Sequence, residues 1–165
     1  MSKDIANGMI YLHNLTPPII HRDLKSLNLL LDVPFNEDSF NYNIKIADFG
    51  LSRTQSQDPM TSVLGTFHWM APEVFEKKQY TTKADVYSYG IVLYEICFRK
   101  TPYQKMSTID IMKTVTEGKR PQFDQIPHEC PEALIQLMKD CWEQNPNNRP
   151  DFQQILERLN QMEKI

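Results

Sequence analysis

Residues 21–28 read His21-Arg22-Asp23-Leu24-Lys25-Ser26-Leu27-Asn28, the densest run of chemistry-bearing side chains in the chain. Short apolar runs flank it, Ile19-Ile20 before and Leu29-Leu30-Leu31 after, so the cluster is expected on a loop held by a rigid frame. Asp48-Phe49-Gly50 follows twenty residues beyond Asn28. A carboxylate and a carboxamide five residues apart, with a second carboxylate on a later loop, can grip divalent ions while one carboxylate stays free to orient a hydroxyl. That is equipment for phosphoryl transfer. Each piece alone has a plainer reading: Asp23 beside Arg22 and Lys25 makes a surface ion-pair cluster, and D-F-G makes a turn.

Outward from this loop the pattern becomes helical. Ile5, Met9, Ile10 and Leu12 recur at helical spacing within residues 3–15, and Pro17-Pro18 cannot continue a helix. A further short strand is expected over residues 44–47, and the polar stretch VPFNEDSFNYN (33–43) before it reads as an exposed loop. Residues 48–71 lack apolar periodicity and are expected to form one long irregular segment.

The helical half opens at Thr82-Lys83-Ala84-Asp85, which resembles a capping box with Thr82 accepting from the third helical position and Asp85 reaching back. VYSYGIVLYEICF (86–98) is apolar all round, the signature of a helix in the middle of a core. Ser107 caps a further short helix, and residues 131–142 give another with Leu134, Leu137, Met138 and Cys141 on one face. The last helix is expected from Pro150, at its first position, to about residue 163, with Phe152, Ile155, Leu156 and Leu159 facing inward. The expected fold is mainly α: a helical bundle with a small β element of short strands around the 21–28 loop.

Composition narrows the function. At 165 residues, 41% hydrophobic and 24% charged, the chain suits one domain burying about two-thirds of its unfolded surface. Eighteen basic residues against 21 acidic give −3 with no dense basic run, which speaks against nucleic acid as a partner. Gly8, Gly50, Gly65, Gly90 and Gly118 are too scattered for a G-x-G-x-x-G or Walker-type loop. Cys97, Cys130 and Cys141 are odd in number and form no C-x-x-C pair, so they are expected as plain thiols in a reducing compartment, with the cytoplasm as default location. The apolar stretch 86–98 is shorter than the roughly 20 residues of a membrane crossing. His13 and His68 lack metal-ligand spacing, and Trp142 reads as helix packing.

Five motifs occur in one order: HRDLKSLN (21–28), ADFG (47–50), GTFHWMAPE (65–73), DVYSYG (85–90) and CWEQNPNNRPDF (141–152). Together they resemble the eukaryotic protein kinase catalytic domain over nearly all 165 residues, and HRDLKSLN with GTFHWMAPE is similar to the tyrosine-kinase-like group of Ser/Thr kinases. The resemblance implies that Asp23 is the catalytic base toward the substrate hydroxyl, that Asn28 and Asp48 ligate the Mg2+ ions bridging the ATP phosphates, and that Lys25 neutralises the γ-phosphate. Lys25 and Thr66 point to Ser/Thr rather than Tyr acceptors on protein substrates. Arg22 would pair with a phosphate on the activation segment, where Thr54, Ser56, Thr61 and Ser62 are candidate acceptors, the last two nearest the expected position. His21, Phe49 and Gly50 would be structural members of their loops, and Glu73 and Arg149 a buried ion pair. For Asp85 the resemblance offers a second role compatible with capping, acceptance of backbone hydrogen bonds from the 21–23 loop.

Measured against that family, the 165 residues correspond to the C-terminal lobe as a single domain, starting within the long helix before the HRD loop. The glycine-rich loop, the V-A-I-K lysine, its glutamate partner and the hinge strand are not among them. Three expectations follow. The chain is a fragment, inactive alone; or it works with a separate N-terminal lobe or regulatory protein; or it is a non-catalytic binding module, a pseudokinase-like scaffold, with exposed apolar surface where that lobe would pack.

Overall fold

The computed structural model describes residues 1–34, 42–54, 66–123, 126–128 and 130–162. Helix α1 (Ser2–His13) precedes strand β1 (Ile19–Ile20), the 3-10 turn Ser26–Asn28 and strand β2 (Leu29–Leu31). Strand β3 (Ile44–Ile46), the 3-10 turn Phe49–Leu51 and strand β4 (Arg53–Thr54) follow. After the 3-10 turn Phe67–Trp69 come α2 (Pro72–Phe75), α3 (Lys83–Phe98), α4 (Thr108–Thr116), α5 (Glu132–Cys141) and α6 (Phe152–Met162). The architecture is mainly α, as the sequence predicts.

Two antiparallel ribbons frame the 21–28 loop. β1 pairs with β4 in the register Ile19↔Thr54 and Ile20↔Arg53. β2 pairs with β3, Leu29 opposite Ile46 and Leu31 opposite Ile44, and the ladder runs on to a bond from the Ala47 N–H to the Asn28 carbonyl at 2.8 Å. That register sets Asp48 beside the end of the loop. The expected irregular segment 48–71 therefore contains a strand and two 3-10 turns; β4 is too short for periodicity to reveal, and only its partner β1 defines it.

Helix α3 is the axis of the molecule. All of it except Lys83, Glu95 and Ile96 is buried, as its unbroken apolar sequence requires. It packs against α5, while α1 packs against α6 and β3. Two helix starts differ from the sequence reading. Thr82 has helical backbone angles and makes no side-chain cap; the Thr81 hydroxyl takes the Lys83 N–H instead, at 3.3 Å, and Asp85 turns away to the 21–22 loop. At α6 the reciprocal cap is Asp151 with Gln154, at 2.8 and 2.9 Å, so Pro150 lies before the cap rather than inside the helix. Proline does open α2, a helix the sequence reading did not foresee. Ser107 caps α4 through the Asp110 N–H as expected.

Gly90 marks the closest approach of α3 to α5. A Cβ there would sit 3.0 Å from Cys141 Cβ, 3.1 Å from the Trp142 nitrogen and 3.2 Å from the Met138 carbonyl oxygen. These are rigid groups at the end of α5, and the Trp142 carbonyl is itself tied to Arg120 Nε at 2.8 Å. Gly90→Ala is expected to destabilise by about 1 kcal/mol, an overpacking cost of roughly 1–3 kcal/mol exceeding the helix-propensity gain of about 1 kcal/mol. Equilibrium urea unfolding measures it; a stabilised variant would contradict the close packing.

Candidate active site

The loop between β1 and the Ser26–Asn28 turn is fixed from below by Asp85, which is wholly buried. Its carboxylate accepts the His21 N–H and the Arg22 N–H, each at 2.8 Å, and meets His13 Nε2 at 2.9 Å. Arg22 thereby holds a left-handed backbone, φ 72°, a conformation a non-glycine residue keeps only when its surroundings impose it. The turn lifts Asp23 into position. His21 Nε2 donates to the Ala47 carbonyl, 3.2 Å away, and the ring packs edge-on to Phe49 at 5.1 Å between centroids. With Ser52 Oγ donating to the His21 carbonyl at 3.3 Å, the 21–28 and 47–52 loops are tied together.

Asp23 is buried and its carboxylate is clamped on both oxygens. Oδ2 accepts from Lys25 Nζ at 2.6 Å and from Asn28 Nδ2 at 3.1 Å. Oδ1 accepts longer bonds, from the Thr66 N–H at 3.3 Å and the Thr66 hydroxyl at 3.2 Å. Lys25 closes the triangle by donating to Thr66 Oγ1 at 2.8 Å. A buried charge so close to an oppositely charged ammonium, with every lone-pair direction engaged, satisfies the conditions for keeping a carboxylate inside a protein.

Asn28 also donates to the Asp23 backbone carbonyl at 2.8 Å. Its amide hydrogens are thus spent on Asp23, and the capacity it has left is that of an oxygen acceptor. Asp48 is exposed, has φ 62°, and accepts the Gly50 N–H at 3.3 Å. These hard oxygen donors fit magnesium, which takes one or two carboxylates, keeps several waters and completes its shell with phosphate oxygens. No cluster of three or more ligating His, Cys, Asp or Glu side chains occurs among the described residues, so nothing here forms a self-sufficient metal cage.

The other residues singled out from the sequence fall around this centre. Arg22 extends over the Tyr80 ring, 5.8 Å from its centroid; burial pulls its guanidinium below the usual range, with Tyr80 opposing and neighbouring Arg53 adding to the shift. Thr54 lies in β4, half-buried. Ser56, Thr61 and Ser62 lie outside the described residues. Glu73 and Arg149 form a buried bidentate pair at 2.7 and 2.9 Å. Arg149 spends its remaining N–H groups on the carbonyls of Glu143 (2.8 Å), Lys83 (2.9 Å) and Gln144 (3.3 Å), so α2, α3 and the turn before α6 meet on one guanidinium.

Sequence reasoning missed His13, Ser26, Trp69 and Glu95. His13 reads from sequence as a histidine without ligand spacing, because its partner Asp85 lies 72 residues away. Glu95 falls within the stretch 86–98 that reads as apolar all round, so nothing in the sequence singles it out. In the fold it accepts from Ser26 Oγ at 2.9 Å and from Trp69 Nε1 at 2.7 Å, and burial raises its carboxyl above the ordinary range. The thiols of Cys97 and Cys141 are buried and pushed far up by desolvation, the environment of unreactive cysteines. No helix among the described residues is long and apolar enough to cross a membrane.

A family model described as protein tyrosine and serine/threonine kinase matches residues 1–159. The chain is 46% identical over 96% of its length to the probable serine/threonine-protein kinase drkA of Dictyostelium discoideum, covering 23% of that protein. It is 44% identical over 94% of its length to the RGS domain-containing serine/threonine-protein kinase A of the same organism, covering 13% of it. Human mitogen-activated protein kinase kinase kinase 11 is 42% identical over 96% of the chain, which covers 19% of that protein. The chain thus spans a quarter or less of the relatives it matches.

The Glu73–Arg149 pair makes a direct stability test. Glu73→Ala strands a guanidinium that is 2% exposed, and is expected to cost about 3–5 kcal/mol, a fall in Tm of about 10 °C or more. Differential scanning calorimetry reads it; a change below about 1 kcal/mol would mean the pair does not anchor α2.

Proposed function

The chain belongs to the protein tyrosine and serine/threonine kinase family, and on that premise we propose that it supplies the acceptor-side and metal-side groups for ATP-dependent phosphoryl transfer to Ser/Thr of protein substrates. The observation that carries the reading is the Asp23 clamp. Its Oδ1, held by the longer bonds to Thr66 at 3.2 and 3.3 Å, is the oxygen best able to exchange a partner for an incoming hydroxyl and accept its proton. Lys25 uses two of its three protons on Asp23 and Thr66, which leaves one for the transferring phosphoryl group. Asn28 and Asp48 would hold magnesium, which when bound supplies neutralisation of the phosphate charge. The Thr66 bridge between Asp23 and Lys25 favours Ser/Thr acceptors, in line with the names of the relatives.

Catalysis of this kind is positioning and charge stabilisation, with groups needed on both sides of the nucleotide. These 165 residues hold no glycine-rich loop, so the groups above act when an N-terminal kinase lobe completes the site. Regulation would run through Arg22 and Arg53: two neighbouring cations, one desolvated, suit a phosphate on the segment after β4.

The 165-residue chain, given Mg-ATP and a generic protein substrate, is expected to show no measurable phosphate transfer. Transfer by this chain, abolished in Asp23→Asn, would overturn the requirement for a second lobe. Joined to a kinase N-terminal lobe, the chain is expected to label Ser/Thr, with Asp23→Asn slower by about 10²–10⁴-fold. Phosphotyrosine as sole product would contradict the weight placed on Lys25 and Thr66.

A further inference from the structure

Helix α3 touches the catalytic loop at two carboxylates. Asp85 holds its entrance at His21 and Arg22; Glu95 stands ten residues along, about 15 Å up the helix axis. There it accepts from Ser26 Oγ at 2.9 Å and from the Trp69 indole N–H at 2.7 Å. Ser26 lies between Lys25 and Asn28. Trp69 ends the 3-10 turn that Thr66 opens, and its carbonyl is fixed separately by Ser88 Oγ at 2.8 Å. One half-buried side chain therefore grips both loops whose ends meet at Asp23.

We infer that Glu95 is a positioning residue, a strut that sets the Ser26–Asn28 turn and the Thr66–Trp69 segment in the mutual register that the Asp23–Lys25–Thr66 triangle needs. The inference rests on the reading of that triangle as catalytic machinery. A carboxylate suits the task because it offers two acceptor oxygens in one plane to two donors from different loops. Both donors are neutral. The group is accordingly retained at a cost, since burial disfavours its charge. Desolvation raises its carboxyl and the Trp69 and Ser26 bonds oppose the rise, with no charged side chain of α3, the catalytic loop or the 67–69 turn contributing. A folded-state value above the unfolded one means that this group favours folding fully at low pH and loses that contribution as pH rises through the folded value. Glu95 is thus expected to matter for geometry more than for stability.

The test uses the 165-residue chain labelled with 15N, in which Trp69 and Trp142 give the two indole resonances. The Trp69 Nε1–H signal is expected to titrate with a midpoint above the ordinary glutamate value of 4.5, and to lose that titration in Glu95→Gln. Hydrogen exchange in Glu95→Met is expected to quicken about tenfold or more in both segments, 25–28 and 66–70, with Tm within about 4 °C of the parent. Glu95→Gln can still accept from Trp69 and donate to Ser26, and is expected to keep the protection. A Trp69 signal indifferent to pH and to Glu95→Gln, or loosening confined to one segment, would overturn the strut; so would a collapse in Tm for Glu95→Gln. Neither readout requires phosphoryl transfer, so their failure leaves the kinase reading standing, and failure of that reading leaves them intact.

Discussion

The carboxylate of Asp85 is the constraint from which the site is built. It is buried to zero exposure in the central helix, and a charge in that setting must find hydrogen-bond donors or unfold its surroundings. It finds them on two backbone N–H groups of the 21–28 loop and on His13 of α1. The demand runs both ways: the helix needs the loop for its donors, and the loop needs the carboxylate to hold Arg22 in a left-handed turn. Because α3 is locked by core packing on nearly every face, that exchange transmits the rigidity of the core to Asp23.

From Asp23 outward the polar groups satisfy one another in a closed set. Lys25, Thr66 and Asn28 each donate to the same carboxylate, and the β2–β3 ladder, carried on by the Ala47 N–H to the Asn28 carbonyl, brings Asp48 next in the chain to that turn. The contrast between the two aspartates follows. Asp23 is buried and saturated, suited to a proton acceptor whose direction is fixed; Asp48 is exposed, suited to a metal that brings its own waters. A protein with no use for such chemistry would have every reason to replace a buried, four-bonded charge by apolar packing of similar volume, which is often neutral or stabilising.

Much of this was legible in the chain. The apolar run 86–98 located the core helix, and the ordered motifs named Asp23, Lys25, Asn28, Asp48 and Thr66, which the fold places on adjoining loops. What failed was local grammar read without its tertiary partner. Thr82 to Asp85 has the letters of a capping box, yet Asp85 is drawn off by donors more than 60 residues away. Pro150 fits a first helical position, yet Asp151 and Gln154 cap each other one step later. Strand β4, two residues long, exists because β1 is beside it. Glu95 and His13 carry no sequence signal, since their roles are set by side chains that only the fold brings near.

The alternative of a non-catalytic binding module is separated from the enzymatic reading by the polar centre and not by the surface. Both expect exposed apolar side chains, and Phe49 and Tyr11, at 48% and 69% exposure, line a cleft of about 390 Å³ between α1 and β3 under either. A scaffold, however, needs that surface and a stable core, and has no need of an Asp23 held against Lys25 at 2.6 Å. Left-handed backbone does not separate the two readings, since Lys77, Arg99, Tyr103 and Lys105 share it outside the motifs; the buried Asp23 carboxylate with its donors from Lys25, Asn28 and Thr66 is the feature that phosphoryl transfer uses and a scaffold does not.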